Sequence, residues 1–564
     1  MLVVGRPGTG KTAIALAKAA AFVERELEPH QRVLFISFSN AAVQRIQASS
    51  RLSLSRSVRA RVETSTFHAL CYRFLRAHAR RAGIPLPFSL LAPETEKIIR
   101  ITKGEGAEAE LNRLEVQEGR VRFDRFGQLA LDILSRDAVL RAAYANAYPL
   151  VIVDEYQDTD DTQDAIAQAL GESGTLVCLG DPEQQIFNWR PGIREDRLDL
   201  LLARGRAQRI DLVGPNHRSG ESDLIEYARA VLEAKPRVVK CKSVQLWCPG
   251  KGNQVPNLLK KALLAAESKV RRTLGNQRHV ATVAILARTN ALVGRIAMHL
   301  RTESPAFPRA FDHQVMVSFE ELGFSWRIAL LALELPKGGN ARECLASMFE
   351  EMAQMERWVG NKTSLKHAAQ LAGWALTLRR QPTGGTASSR AGAENLDRIA
   401  RQRTGNAQTD LHAVCAVLRS MRGNHFKRAV SVLDQRLPAG AHEPLTEQIE
   451  GTYGQDEAYA GASKLVEPFL LRERLTDGAL TGARRQVMTL HKCKGKEFDA
   501  VIIVDDFVGP GRLASSEDRN APRIAEDRRL LSVGITRARV CVGILTPRFN
   551  PSILLPIEVP RADA

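Results

Sequence analysis

Residues 5–12 read Gly-Arg-Pro-Gly-Thr-Gly-Lys-Thr, entered from the apolar Leu2-Val3-Val4 and left through Thr12-Ala-Ile-Ala-Leu-Ala-Lys-Ala-Ala, a run with few helix breakers. No other stretch confines the fold as tightly. A short buried strand that turns through glycines into a helix is half of a β-α-β unit, and such a unit needs parallel strands beside it. Gly5, Gly8 and Gly10 let the backbone curl until successive N–H groups converge, Lys11 follows them, and the Thr12 hydroxyl is placed to ligate Mg²⁺. The helix N-terminus adds its own attraction for anions. Every fixed position of G-x-x-x-x-G-K-[ST] is filled, so a nucleoside triphosphate site is expected; a chance Gly-rich turn leaves the flanking strand and helix unexplained.

The rest of the chain supplies the neighbours. Short apolar runs ending in turn signals recur at 32–38 (RVLFISF), 149–155 (PLVIVDE), 175–181 (TLVCLGD), 208–214 (QRIDLVG), 280–288 (VATVAILAR) and 499–506 (DAVIIVDD). They read as buried parallel strands separated by helices, which makes the chain α/β. Residues 70–124 and 303–480 break this rhythm with helix-like patterns, and 379–392 (RRQPTGGTASSRAG) reads as a flexible surface loop within the second. The length of 564 residues suits roughly four domains.

Composition narrows the class. The formal net charge of +17 favours a polyanionic partner, although runs such as 73–81 (RFLRAHARR) serve equally well as solvated helix faces. The eight cysteines include no Cys-x-x-Cys pair and suit buried thiols in a reducing cytoplasm. No uninterrupted apolar run is long enough to predict a membrane span, and no signal peptide precedes the first strand.

Asp154 and Glu155 close the apolar strand of LVIVDEYQDTDDTQ (150–163). One carboxylate there can hold Mg²⁺ and the next can orient the attacking water or take its proton. After them come CLGDPEQQIFNWRPG (178–192), VGPNHRSG (213–220), VMTLHKCKGKEFDAVIIVDD (487–506) and AEDRRLLSVGITRAR (525–539). In this order the motifs resemble those of UvrD/Rep-type superfamily 1A helicases. FSNAA (38–42), TFHALCYRFLR (66–76) and VRFDRFGQLALDIL (121–134) resemble further family segments.

The resemblance implies two RecA-like P-loop motor domains with parallel sheets, each carrying a mainly helical insertion. The first spans 1–69 and 125–207 with an insertion at 70–124; the second spans 208–302 and 481–564 with a divergent insertion at 303–480. It implies ATP bound between them. Gly5, Gly8, Gly10, Lys11 and Thr12 would hold phosphate, Thr12 and Asp154 the Mg²⁺, and Glu155 the water. Gln184 would sense the γ-phosphate, Arg218 and Arg537 would act as arginine fingers, and Glu497 would approach the ribose. Structural ion pairing is the alternative role for the two arginines. The DNA track would run by Phe38, Asn40, Thr66, His68, Phe187, Trp189, Arg190 and His491, with Trp189 the best stacking platform. Phe38 and Phe187 suit core positions equally; Lys492, Lys494 and Lys496 lie in the segment that contacts DNA in the family, with solvated charges as the alternative.

Three departures from the family pattern matter. The segment that precedes the phosphate loop in the family, with its adenine-reading glutamine, has no counterpart here. The expectation leans towards a glutamine encoded upstream of Met1, over an adenine pocket left open. His217 stands where the family's motif IV has a base-stacking tyrosine, and imidazole offers less area. Residues 303–480 match the family's insertion only loosely. The activity implied is 3′→5′ translocation or unwinding on single-stranded or tailed duplex DNA, in repair or replication-associated processing. Repair proteins or a nuclease are the further partners. The alternative is a DNA-sensing ATPase subunit that regulates a partner nuclease, as in phage defence.

Overall fold

A computed structural model describes residues 1–188, 190–205, 207–212, 222–234, 241–275, 280–316, 319–360, 362–381, 386–421, 424–433, 444–476, 483–507, 511–514 and 520–555. The chain divides into two compact units: Met1–Arg73, Gly127–Met316 and Ala479–Ala564 form one, Phe74–Phe126 and Val317–Gly478 the other.

The first unit holds two six-stranded parallel sheets among the described residues. Its strands in chain order are β1 (Leu2–Gly5), β2 (Val33–Ser37) and β3 (Val62–Thr66). The second unit contributes β4 (Ser89–Leu91) and β5 (Arg120–Arg122), a small parallel pair of its own. Then follow β6 (Leu150–Val153), β7 (Thr175–Gly180), β8 (Arg209–Leu212), β9 (Val244–Trp247), β10 (Val283–Ala287), β11 (Gln314–Val315), β12 (Arg485–Thr489), β13 (Phe498–Val504) and β14 (Ala538–Leu545). The first sheet runs β3-β2-β6-β7-β1-β8 and the second β11-β12-β10-β13-β14-β9.

Burial explains the order. Every residue of β2, β6, β10 and β13 is buried, as strands covered by helices on both faces require, and these read as unbroken apolar runs. Edge strand β8 carries exposed Arg209 and Asp211, paired at 2.9 Å, which blunts an open edge. The two sheets repeat a device at their inner strands. Ser39 after β2 caps helix Asn40–Ser53 by accepting from the Ala42 N–H, and Thr289 after β10 caps helix Asn290–Arg301 by accepting from Leu292.

The second unit is helical, built mainly from Phe319–Glu334, Ala341–Val359, Lys362–Arg380, Ala387–Arg401, Ala407–Ser420 and Asn424–Leu433. Trp326, Leu330, Met348, Met352, Leu411 and Val414 fill its core. Gly360, at φ 76°, ends one long helix and turns the chain into the next. Helix Pro93–Lys103 joins this unit: the Lys97 ammonium lies 5.1 Å from the Trp358 ring centroid.

Four expectations change. β8 pairs with β1 in the first sheet, so the crossing to the second sheet comes after Leu212, not at 208. Its alternating polar residues suit an edge, which apolar content alone does not locate. β11 pairs with β12, so the second sheet extends past 302. Residues 387–392, expected in a loop, open helix Ala387–Arg401, whose N-cap Thr386 accepts from the Ser389 N–H; residues 382–385 lie outside the described ones. The segments expected as two separate insertions fall in one compact unit.

Candidate nucleotide site and its link to the second sheet

The phosphate loop connects β1 to helix Lys11–Arg25, with Gly8 at φ 81° and Gly10 at φ 87°. Side chains other than glycine resist that conformation. Gly5 is needed for a different reason: a Cβ there would lie 2.5 Å from Thr9 Oγ1 and 3.1 Å from Leu212 Cβ. The Lys11 ammonium donates to the carbonyls of Gly5 and Arg6 and lies 3.8 Å from Asp181 Oδ2. Thr12 occupies the first helical turn, as the motif requires.

Asp154 and Glu155 follow β6 at the carboxyl edge of the first sheet, and both are buried. The Asp154 N–H donates to Ile36 O at 2.8 Å, fixing the strand end. Asp154 Oδ2 is buried with no hydrogen-bond partner among the described residues. A buried orphan oxygen beside a phosphate loop fits a divalent cation, which would supply the missing partner. Burial and the adjacent Glu155 charge push the Asp154 carboxyl up from its ordinary range. Burial opposes ionisation of Glu155 too, but Lys494 and Lys11, together with the Gln157 amide donating at 2.6 Å, hold its carboxyl low. Glu155 also sits at φ 54°, a left-handed conformation that a non-glycine residue keeps only when its surroundings enforce it.

Gln184 lies in the short turn after β7 and donates to Asp181 Oδ2 at 2.5 Å. Arg537, between helix Ala521–Ile535 and β14, is almost fully buried. It donates to Gln184 Oε1 at 2.6 Å and to Val533 O at 3.1 Å. A residue of the second sheet's layer thus reaches the strand ends of the first. Lys494 makes a second such crossing. Its ammonium pairs with Asp158, lies 3.9 Å from Glu155 Oε2 and donates to Gln184 O at 2.7 Å. It is buried, contrary to the reading of solvated lysines: the pull of Asp158 and Glu155 draws it inward. Lys492 donates to Met316 O at 2.9 Å. Glu497 joins Arg45 of the first sheet's helix to Arg539, both at 3.3 Å. Gly495, at φ 79°, lets the backbone approach helix Asn40–Ser53; a Cβ there would lie 2.9 Å from Ser39 Oγ.

The residues expected on the DNA track divide. Phe38 and Phe187 stack at 4.8 Å, and the Arg190 guanidinium sits 5.9 Å from each ring centroid. Phe187 is buried within the second sheet's core, so its ring is a support and not an open platform. Thr66 is buried and its hydroxyl accepts from the Ala69 N–H at 3.2 Å. His68, pushed down to about 4 by burial and Arg190, and His491, pushed down to about 4 by burial and Arg288, both stay neutral. Asn40 opens its helix and is half-buried; Arg190 is exposed. Trp189, His217 and Arg218 lie outside the described residues.

The fold and site define a class: an α/β P-loop protein with two RecA-like parallel sheets. Residues 1–190 match a family described as an AAA domain, and residues 446–544 match the UvrD-like helicase C-terminal domain. The ATP-dependent DNA helicase PcrA of Leuconostoc citreum is 23% identical over 615 residues, spanning 95% of this chain and 78% of its own. DNA helicase II of Salmonella typhimurium is 24% identical over 608 residues, with 95% and 81% spanned. That of Escherichia coli is 24% identical over 611 residues, again with 95% and 81%. Together, the two domain matches and these relatives, similar along 95% of the chain, support a UvrD-like helicase. Nothing in these relatives favours a nuclease-regulating subunit. Among the described residues, no helix is long and apolar enough to cross a membrane.

Lys494 and Asp158 were missed as site residues by sequence reasoning. The signal available was weak: one lysine among three in HKCKGKEFD, and an aspartate three residues past Glu155.

Proposed function

We propose that the chain is an ATP-dependent DNA helicase that couples hydrolysis between its two sheets to 3′→5′ movement on single-stranded DNA. Repair or replication-associated processing in the cytoplasm is the setting. The observation that carries this reading is the hydrogen bond from Arg537 to Gln184, which joins residues 353 positions apart across the two sheets. An arginine delivered in this way ties hydrolysis to closure, because it meets the γ-phosphate only when the layers approach.

In this reading Gly5, Gly8, Gly10 and Lys11 cradle the phosphates. Thr12 and Asp154 hold Mg²⁺, which when bound neutralises charge on the β- and γ-phosphate oxygens. Glu155, kept ionised by Lys494 and Lys11, orients the attacking water and accepts its proton. Gln184 and Arg537 stabilise charge on the transferred group, with Arg218 as a second finger. Glu497 faces the ribose and His217 the base. Single-stranded DNA follows Phe38, Asn40, Thr66, His68, Trp189, Arg190 and His491, with Phe187 bracing Phe38 from below. We assign the two sheets to motor domains 1A and 2A and the helical segments near 70–124 and 303–480 to their insertions. The basic net charge of +17 suits this partner.

The test is strand displacement on duplexes with a 3′ or a 5′ single-stranded tail, run beside DNA-stimulated ATP hydrolysis. Unwinding of the 3′-tailed duplex only, lost in Lys11→Ala, is expected. Hydrolysis without displacement of either duplex at saturating ATP would overturn the helicase reading and favour an ATPase that senses DNA.

A further inference from the structure

The helical unit holds a group that the nucleotide chemistry does not use. Glu356 lies near the end of helix Ala341–Val359, His367 in the second turn of helix Lys362–Arg380, and His425 at the start of helix Asn424–Leu433. One carboxylate oxygen and one ring nitrogen from each histidine lie within 4.8 Å of one another. The closest pair, Glu356 Oε1 and His425 Nδ1, is at 3.0 Å. The two imidazoles meet at 5.3 Å between centroids and 76° between planes.

A hydrogen-bonded Glu–His pair between helices is an ordinary packing device, and by itself it would end the matter. The third member changes that. His367 brings a second imidazole to the pair edge to face, where nothing about the Glu356–His425 bond requires it. Tetrahedral zinc with bonds of about 2.0–2.1 Å places its donors about 3.3 Å apart. The closest pair is already near that separation, and small side-chain rotations bring in the third. Glu356 is 4% exposed, and a carboxylate so buried is costly unless its oxygens are fully partnered. Ser364 hydrogen-bonds the same carboxylate, the kind of outer contact that orients a ligating group. The nearby Arg428 guanidinium is committed to Glu321. Both histidines are half-buried, leaving a route from solvent.

We propose that Glu356, His367 and His425 form a binding site for a divalent transition-metal ion of the Zn²⁺ class, pinning three helices of the helical unit together with water as the remaining ligand. Two nitrogen donors and one oxygen disfavour Mg²⁺ and Ca²⁺, which demand oxygen cages. The site is independent of the nucleotide reading, and neither depends on the other.

The probe is Zn²⁺ itself, titrated into chelator-stripped full-length protein without nucleotide and with excess Mg²⁺ to occupy oxygen-rich sites. One equivalent per chain is expected, with a raised melting temperature. The equivalent should be lost in His367→Ala and in His425→Ala, and bound at least tenfold more weakly in Glu356→Gln. No stoichiometric uptake, or an equivalent that survives both histidine substitutions, overturns the proposal. Should those variants fail to fold by circular dichroism, X-ray absorption of the zinc-loaded wild type decides. Two imidazole nitrogens in the first shell support the site, and an all-oxygen shell refutes it.

Discussion

Replacing Lys494 with methionine keeps the length of the side chain and removes its charge from the crossing between the sheets. Two carboxylates lose their partner. At 3.9 Å from Glu155, with an effective dielectric of about 20, the attraction is about 4 kcal/mol, equivalent to about 3 pH units. Lys11 remains and offsets part of the loss, so we expect the Glu155 carboxyl to rise by about 1–3 units. Its folded-state value is depressed, so it serves as an ionised base above that value and fails as pH falls through it. In the variant this failure moves to higher pH. The assay is kcat/KM for ATP against pH at saturating single-stranded DNA, in which the titration of ATP is common to both proteins. The acid limb of Lys494→Met should lie at least about one unit above that of the wild type. Stability should fall as well, by about 3–5 kcal/mol for a broken buried pair. Proton uptake by Asp158, already pushed up to about 6 by burial against the pull of Lys494, softens that cost. Superimposable acid limbs with only a lowered plateau would refute the role assigned to Lys494.

Arg537→Ala should lower DNA-stimulated turnover by about 10³–10⁵ while leaving filter-retained DNA binding within a few-fold, provided Arg537 serves the transferred phosphoryl group. An Arg537→Ala variant with near-normal turnover would make it a structural hydrogen-bond partner of Gln184. Glu155→Gln should cut hydrolysis by about 10²–10⁴ with ATP binding retained in equilibrium dialysis. A panel of ATP, GTP, CTP and UTP should show weak discrimination between bases, reflecting His217; strong adenine selectivity would contradict this. Single-stranded DNA affinity should fall linearly on a log–log plot against salt with a slope of about −0.7 per phosphate contacted, and a flat dependence would exclude a backbone track.

The chemistry-bearing strand ends were legible because phosphate binding dictates residue types at fixed spacing. Gly5 to Thr12, Asp154 and Glu155 follow from local rules, and the central strands β2, β6, β10 and β13 from their continuous burial. Strands β3 and β12 escaped notice because Val62-Glu-Thr-Ser-Thr66 and Arg485-Gln-Val-Met-Thr489 are too polar for that signal. Register resolves what composition hides: each is held by a buried neighbour, β2 in one case and β10 in the other. Between the track and core positions open to Phe187, the sequence could not choose, since an aromatic residue in a polar loop carries no mark of what packs over it; its burial in the second sheet's core answers the packing question. Lys494 was the hardest to read. Its place depends on carboxylates more than 300 positions away, which no local pattern encodes.

The pairing of the second sheet has a consequence for how the chain is made. Strands β9, β10 and β11 form no ladder with one another: β9 pairs with β14, β10 with β12 and β13, and β11 with β12. Each waits for partners from Arg485–Leu545. The first sheet has all its strands once Leu212 has emerged from the ribosome. The second remains a set of bare strand edges through the synthesis of Val317–Gly478, the larger part of the helical unit. Such edges are templates for pairing with other chains. Release of a nascent chain before β12–β14 therefore leaves a finished phosphate loop tethered to an aggregation-prone half, and holdase chaperones should be most needed in that interval.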